Sequence, residues 1–114
     1  MSKDRLFLLK PGFEDNGELF YCPGCAMVEG VLSYYPHLRE KIEISYVDFP
    51  RPRPAIVRLL GEENQSAPVL VMAQKPEGEI PDCNVQEYNG RYFVAEARDV
   101  GNYLAHRYGV ARPH

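Results

Sequence analysis

Hydrophobic and polar positions along this chain switch between two periods, and the switches mark its elements. Leu6-Phe7-Leu8-Leu9 is a short continuous apolar run, as expected of a strand buried on both faces. Residues 11–18 are polar, hold Gly12 and Asn16-Gly17, and are predicted to form a loop. Val28, Val31, Leu32 and Tyr35 then recur at i, i+3, i+4, i+7, the stripe of one helix face. Pro23 suits the first turn of that helix, where its missing N–H is no loss, and Pro36 ends it. Ile42, Ile44 and Tyr46 alternate, and Val47 and Phe49 extend this second strand. Pro50, Pro52 and Pro54 break it. Ile56, Val57, Leu59 and Leu60 predict a short helix with Gly61 as its C-terminal cap. Val69–Met72 is a third strand and Tyr92–Val94 a fourth. The intervening stretch, 73–90, is long for a loop in a compact domain, so Val85–Tyr88 is expected as an extra strand. It would hairpin through Asn89-Gly90 onto Arg91–Val94. Val100, Tyr103, Leu104 and Tyr108 form the last helical stripe, closed by Gly109.

The order is β-α-β-α-β-β-α. A helix joins the first two strands, so they should run parallel through a right-handed crossover, and the last two can pair antiparallel. The expected fold class is α/β: a mixed sheet of four strands, five with Val85–Tyr88, carrying helices on both faces.

Length and charge narrow the function classes. The chain has 114 residues, which predicts one domain, and a formal net charge of −3, which lacks the basic excess of a nucleic-acid binder. The apolar run at Leu6–Leu9 is too short for a secretory signal or a membrane span. A cytoplasmic protein with no membrane partner is therefore expected. In that reducing compartment stable structural disulfides are rare, so a C-x-x-C reads first as redox or metal chemistry.

Such a motif stands at Cys22-Pro23-Gly24-Cys25. Cys22 falls at the predicted start of the first helix, where free backbone N–H groups and the positive end of the dipole favour a thiolate. Cys25 would be more buried and would resolve a mixed disulfide. Gly24 leaves room for a partner disulfide, and Phe20 and Tyr21 offer an apolar approach. Glu14, Asp15 and Glu18 would oppose the thiolate if they lie nearby. A pair of structural cysteines is the alternative. A metal or cluster ranks third and no metal ligands are assigned, because Cys83, His37, His106 and His114 supply no second ligand pair. Cys83 is expected to be an exposed bystander. Arg51 and Arg53 are expected to form a solvated basic turn rather than an anion site, and His106 an exposed helix residue. Tyr35, Tyr103 and Tyr108 read as packing residues. Glu96 and Asp99 read as helix-start charges, each contributing up to about 1 kcal/mol.

Three motifs give the chain a resemblance to the thioredoxin superfamily. Cys22-Pro-Gly-Cys25, after the first strand and opening the first helix, is similar to the C-P-Y-C of glutaredoxins. Ser66-Ala67-Pro68-Val69-Leu70 stands where that superfamily places a cis-proline. The stretch 93–109 resembles the E-S-x-x-I-x-x-Y-L segment of glutathione-transferase N-terminal domains, with Glu96, Val100, Tyr103 and Leu104 matching and Ala97 in place of serine. The chain also resembles a small bacterial family of thioredoxin-like proteins of unknown function. The resemblance implies one thioredoxin-like domain over 1–114, with insertions at 11–21 and 73–90, ending where a transferase would begin its helical domain. It implies a glutaredoxin-like thiol–disulfide oxidoreductase with Cys22 and Cys25 catalytic. Tyr21, Ala67, Pro68, Glu96 and Ala97 would contact the substrate, the last two near a γ-glutamyl amine. Lys10 matches a cation that glutaredoxins use near the active site. No cofactor would be firmly bound. Glutathione would be a co-substrate, or a thiol/disulfide protein the partner. The rival reading is a non-enzymatic thioredoxin-like module that binds a peptide in the groove beside Pro68. The oligomeric state is not encoded in any of these motifs.

Overall fold

The computed structural model describes residues 1–114. The elements are β1 (Arg5–Leu9), β2 (Phe13–Asp15), β3 (Glu18–Phe20), α1 (Pro23–Tyr34), α2 (Leu38–Lys41), β4 (Glu43–Val47) and α3 (Pro54–Leu60). After them come β5 (Val69–Val71), β6 (Gln86–Tyr88), β7 (Arg91–Val94) and α4 (Ala97–Tyr108). The fold is mixed α/β, with a five-stranded sheet in the order β4-β1-β5-β7-β6. β1 and β4 run parallel, Leu6 opposite Ile44. The other pairings, β1–β5, β5–β7 and β6–β7, are antiparallel. No helix is long and apolar enough to cross a membrane.

The apolar runs are continuous because the sheet is covered on both faces, and period 2 then sorts each strand's side chains. Leu6 and Leu8 of β1, Leu70 of β5 and Val94 of β7 pack with Val28 and Leu32 of α1 and with Val100 and Leu104 of α4. Phe7, Val69, Val71 and Phe93, their neighbours in sequence, face the other way onto Ile56, Leu59 and Leu60 of α3. Each such fully buried side chain contributes about 2 kcal/mol relative to exposure. A one-residue slip of β1 would exchange these two faces. Gly61 closes α3 with φ +80°, and a Cβ there would meet the Tyr88 ring at 2.7 Å. The position thus needs glycine twice over.

The chain departs from the sequence-based expectation at two places. Residues 11–18 are not a loop. Phe13–Asp15 and Glu18–Phe20 pair as a separate two-stranded hairpin, Phe13 opposite Phe20 and Asp15 opposite Glu18. Asn16 and Gly17, both at positive φ, turn it, as two-residue hairpin turns require. The short helix α2 was not expected, and its Leu38 is fully buried. The expected extra strand is present as β6, Gln86–Tyr88, turned by Asn89 and Gly90, and the rest of 73–90 carries no strand or helix and is tied down by buried Ile80.

Asp4, just before β1, is buried and gathers three donors. Its carboxyl accepts the Ala73 backbone N–H at 2.7 Å, the Tyr108 hydroxyl at 2.8 Å and the Tyr103 hydroxyl. It therefore links the edge of β1 to the segment after β5 and to α4. Burial, and then the bond to Asp4, raise both tyrosines well above the ordinary phenol value. Asp4→Ala would leave the donors without an acceptor. We expect it to lower unfolding stability by about 3 kcal/mol, read from urea denaturation, with Tyr108→Phe costing about 1 kcal/mol.

Candidate functional site: the dithiol at the start of α1

Cys22 is the N-cap of α1 and Pro23 its first helical residue. Cys22 is extended, with φ −77° and ψ 117°, so its side chain folds back over the first turn. The Cys25 backbone N–H donates to Cys22 Sγ at 3.1 Å. A serine at an N-cap accepts the same bond, worth about 1 kcal/mol. Here the acceptor is a sulfur, so the donor that caps the helix also points at the candidate nucleophile. The Cys22 thiol in turn donates to the Ala67 carbonyl at 3.7 Å, a long, weak contact.

Cys25 sits below, 5% exposed, against the end of β1. The Leu9 backbone N–H donates to its sulfur at 3.3 Å. Burial first, and then the hydrogen bond with Cys22, push the Cys25 thiol up to about 12. It is therefore a neutral thiol at ordinary pH. Two causes of the shift involve Cys22 itself, its hydrogen bond and its charge, and both weaken once Cys22 is held in a disulfide.

The structure brings Ala67, Pro68 and Ala97 to the same place. The Ala67–Pro68 peptide is cis. A Cβ on Gly24 would lie 3.1 Å from Pro68 Cδ and 3.4 Å from Ala97 Cβ, so the two elements close on the dithiol turn at contact distance. Pro68 is buried; Ala67 and Ala97 are half-buried. Glu96 is the exposed N-cap of α4 and its side chain makes no cap bond. Tyr21 projects into solvent, 64% exposed, immediately before Cys22.

Several neighbours stand otherwise than expected. Arg53 is not part of a solvated turn; it is buried. Its guanidinium donates to the Phe49 carbonyl at 2.6 Å and the Gln65 carbonyl at 2.7 Å, and its backbone N–H to Gln65 Oε1 at 2.8 Å. No carboxylate pairs with it. Burial, and next the Arg51 charge, lower its pKa, while the two cysteines pull it the other way. Arg51, by contrast, is exposed. Cys83 is not an exposed bystander: it is half-buried and its thiol donates to the Asp99 carbonyl at 3.4 Å. Burial, with Asp99 and Asp82 adding, pushes it up to about 11. Lys10 pairs with Asp48 at 3.0 Å rather than with a cysteine. No group of three or more His, Cys, Asp or Glu side chains is placed to hold a metal ion. Sequence reasoning missed Phe49 and Gln65 as the support of Arg53, and no short-range signal pairs them. It also missed the hairpin before Cys22, although Asn16-Gly17 between short β-prone runs was a usable signal.

A cavity of about 710 Å³ lies elsewhere, beside Asp4, Lys41, Lys75 and Arg107, and no cysteine lines it. Its Lys and Arg side chains are largely offset by Asp4, Glu77 and Glu79.

Two outcomes follow from the thiols. Iodoacetamide at about pH 8 should modify Cys22 and leave Cys25 and Cys83 intact, because alkylation needs the thiolate. Peptide mass mapping reads this, and equal labelling of all three would contradict it. Folded Cys25 also keeps a proton that the unfolded chain, with the ordinary value of 9.0, gives up. Its contribution to stability is then complete below about pH 9 and is lost as the pH rises toward 12. The denaturation midpoint of the reduced protein should fall over that range, and Cys25→Ala should flatten the fall.

Residues 3–112 match the family described as a protein of unknown function, DUF3088. No curated protein and no solved structure matches the chain. The matched span holds the hairpin, the dithiol turn and α4, so the protein belongs to the DUF3088 family.

Proposed function

We propose that this is a thioredoxin-like, glutaredoxin-like thiol–disulfide oxidoreductase that uses Cys22 and Cys25. The observation that carries the reading is the pair's asymmetry. Cys22 Sγ lies at a helix N-cap under a backbone N–H at 3.1 Å, while Cys25 is buried behind it. The strand order, with a parallel β1–β4 pair joined through α1 and an antiparallel β5–β7 pair, supports the fold assignment, as does the cis Ala67–Pro68 peptide beside Cys22.

In the forward reaction the Cys22 thiolate attacks one sulfur of a substrate disulfide. That S–S bond breaks, a Cys22–substrate disulfide forms, and the departing thiolate takes a proton from water. Cys25 then loses its proton to solvent and its sulfur attacks Cys22 Sγ. The second substrate thiolate leaves and a Cys22–Cys25 disulfide remains. The substrate gains two electrons and the protein loses two. Two molecules of an external thiol such as glutathione reduce the pair again, one forming a mixed disulfide and the second displacing it, and leave joined as their own disulfide. The Ala67 backbone and the N-terminus of α4, with Glu96 and Ala97, border the space a substrate would occupy. This cycle suits a reducing compartment such as the cytoplasm, where the pair starts as thiols.

Turnover of a glutathione mixed disulfide with excess glutathione tests the reading. Cys22→Ser should abolish it. Cys25→Ser, given the mixed disulfide with no free glutathione, should accumulate a covalent adduct at Cys22, seen by intact mass. Wild-type protein without turnover and without any adduct would reject the reading. The binding-module alternative draws on the exposed Leu19, Phe20 and Tyr21. It would be favoured if the doubly substituted Cys22→Ser/Cys25→Ser protein stayed folded and kept its cellular role.

A further inference from the structure

The hairpin that leads into Cys22 has two properties not needed for folding. Leu19, Phe20 and Tyr21 are consecutive large apolar side chains, 75%, 42% and 64% exposed, and they run directly into the nucleophile. Strand alternation divides them. Phe13 and Phe20 are cross-strand partners, and Phe13 stacks on Phe49 with ring centroids 4.3 Å apart, which fixes the inner face to the body of the protein. Leu19 lies opposite Glu14 on the other face, and Tyr21 continues that row toward Cys22.

The second property is charge. Between Lys10 and Arg39 the chain holds Glu14, Asp15, Glu18 and Glu29 and not one lysine or arginine. Glu29 is neutralised by Arg39 at 2.6 Å. Glu14, Asp15 and Glu18 are exposed and enter neither a salt bridge nor a side-chain hydrogen bond. Arg53, the cation nearest this region in its influence on the cysteines, is buried with its donors on carbonyl oxygens. The approach to Cys22 is thus an apolar row with the unpaired Glu14 across from Leu19 on the same face, and the unpaired Asp15 and Glu18 beside the turn on the opposite face. An anionic small disulfide such as oxidised glutathione meets repulsion there. A cationic chain with an apolar side chain meets attraction and burial together.

We propose that the β2–β3 hairpin is a docking surface for a polypeptide disulfide that carries lysine or arginine and an apolar side chain beside its cysteine. This rests on the redox reading above and narrows its substrate class. The attraction is between exposed charges, so it acts on the rate of encounter and weakens with salt.

The test compares three disulfides on the reduced wild-type protein. One is a lysine–leucine peptide whose single cysteine is joined to mercaptoethanol. The second is its glutamate–leucine counterpart. The third, hydroxyethyl disulfide, is a neutral reference. Loss of free Cys22 is followed by quenched labelling. The lysine peptide should react about ten-fold faster than the glutamate peptide at low ionic strength, and the ratio should shrink toward one in high salt. Glu14→Lys/Glu18→Lys should reverse the ratio. Leu19→Ser/Tyr21→Ser should slow the lysine peptide relative to hydroxyethyl disulfide. Equal peptide rates in the presence of a normal reaction with hydroxyethyl disulfide would overturn the docking surface alone. Absence of reaction with all three would overturn it together with the redox reading. The salt series needs no variant and decides the matter if the substituted proteins do not fold.

Discussion

The contact between the Leu9 backbone N–H and Cys25 Sγ is the joint on which the dithiol turn depends. It ties the last residue of β1 to the first turn of α1 at 3.3 Å. Cys25 is then buried, and Cys22, three residues earlier, has to lie at the edge of the turn. From there its sulfur takes the Cys25 N–H and reaches the Ala67 carbonyl. One cysteine is made a protected, neutral thiol and the other an accessible one by the same few bonds. Because helix α1 packs Val28 and Leu32 into the core, this asymmetry is held by the sheet and not by a mobile loop.

Opposite ends of β1 carry two polar arrangements of the fold. Asp4 at the start gathers Ala73, Tyr103 and Tyr108, and Cys25 meets Leu9 at the finish. The first has the marks of structure: a buried acceptor satisfied by neutral donors, which is costly to break and offers little to a ligand. The second keeps a partly exposed sulfur, which chemistry requires. A cavity beside the first is therefore weaker evidence of function than the partly exposed sulfur of the second.

Charge around the dithiol is layered. The cation is inside, with Arg53 set on the Phe49 and Gln65 carbonyls, and the anions are outside on the hairpin. Exposed charges are screened over about 8 Å at physiological salt, whereas a buried one is screened far less. Arg53 therefore acts on the sulfurs over short range, and Glu14, Asp15 and Glu18 act on what approaches them. Phe49 joins the layers, since its ring stacks on Phe13 of the hairpin and lies under the Arg53 guanidinium at 5.8 Å.

Much of the architecture was readable in one dimension. Continuous apolar runs at Leu6–Leu9 and Val69–Met72 reported a sheet covered on both sides. The i, i+3, i+4 stripes reported α1 and α4, and Asn89-Gly90 reported the β6–β7 turn. These features are local: each depends on a few neighbouring residues and on the hydrophobic period. The same locality put Cys22 at a helix start and Cys25 within its first turn. What the chain alone left open depended on distant partners. Whether Arg53 faced water or two carbonyls turned on Gln65, twelve residues on, and whether Cys83 lay free turned on Asp99. Residues 11–18 became a hairpin through pairing and through Phe13 finding Phe49. Only the tertiary structure decided these, because burial of a charge or a thiol is set by groups that the chain folds against it, and no short-range pattern of hydrophobicity carries their identity.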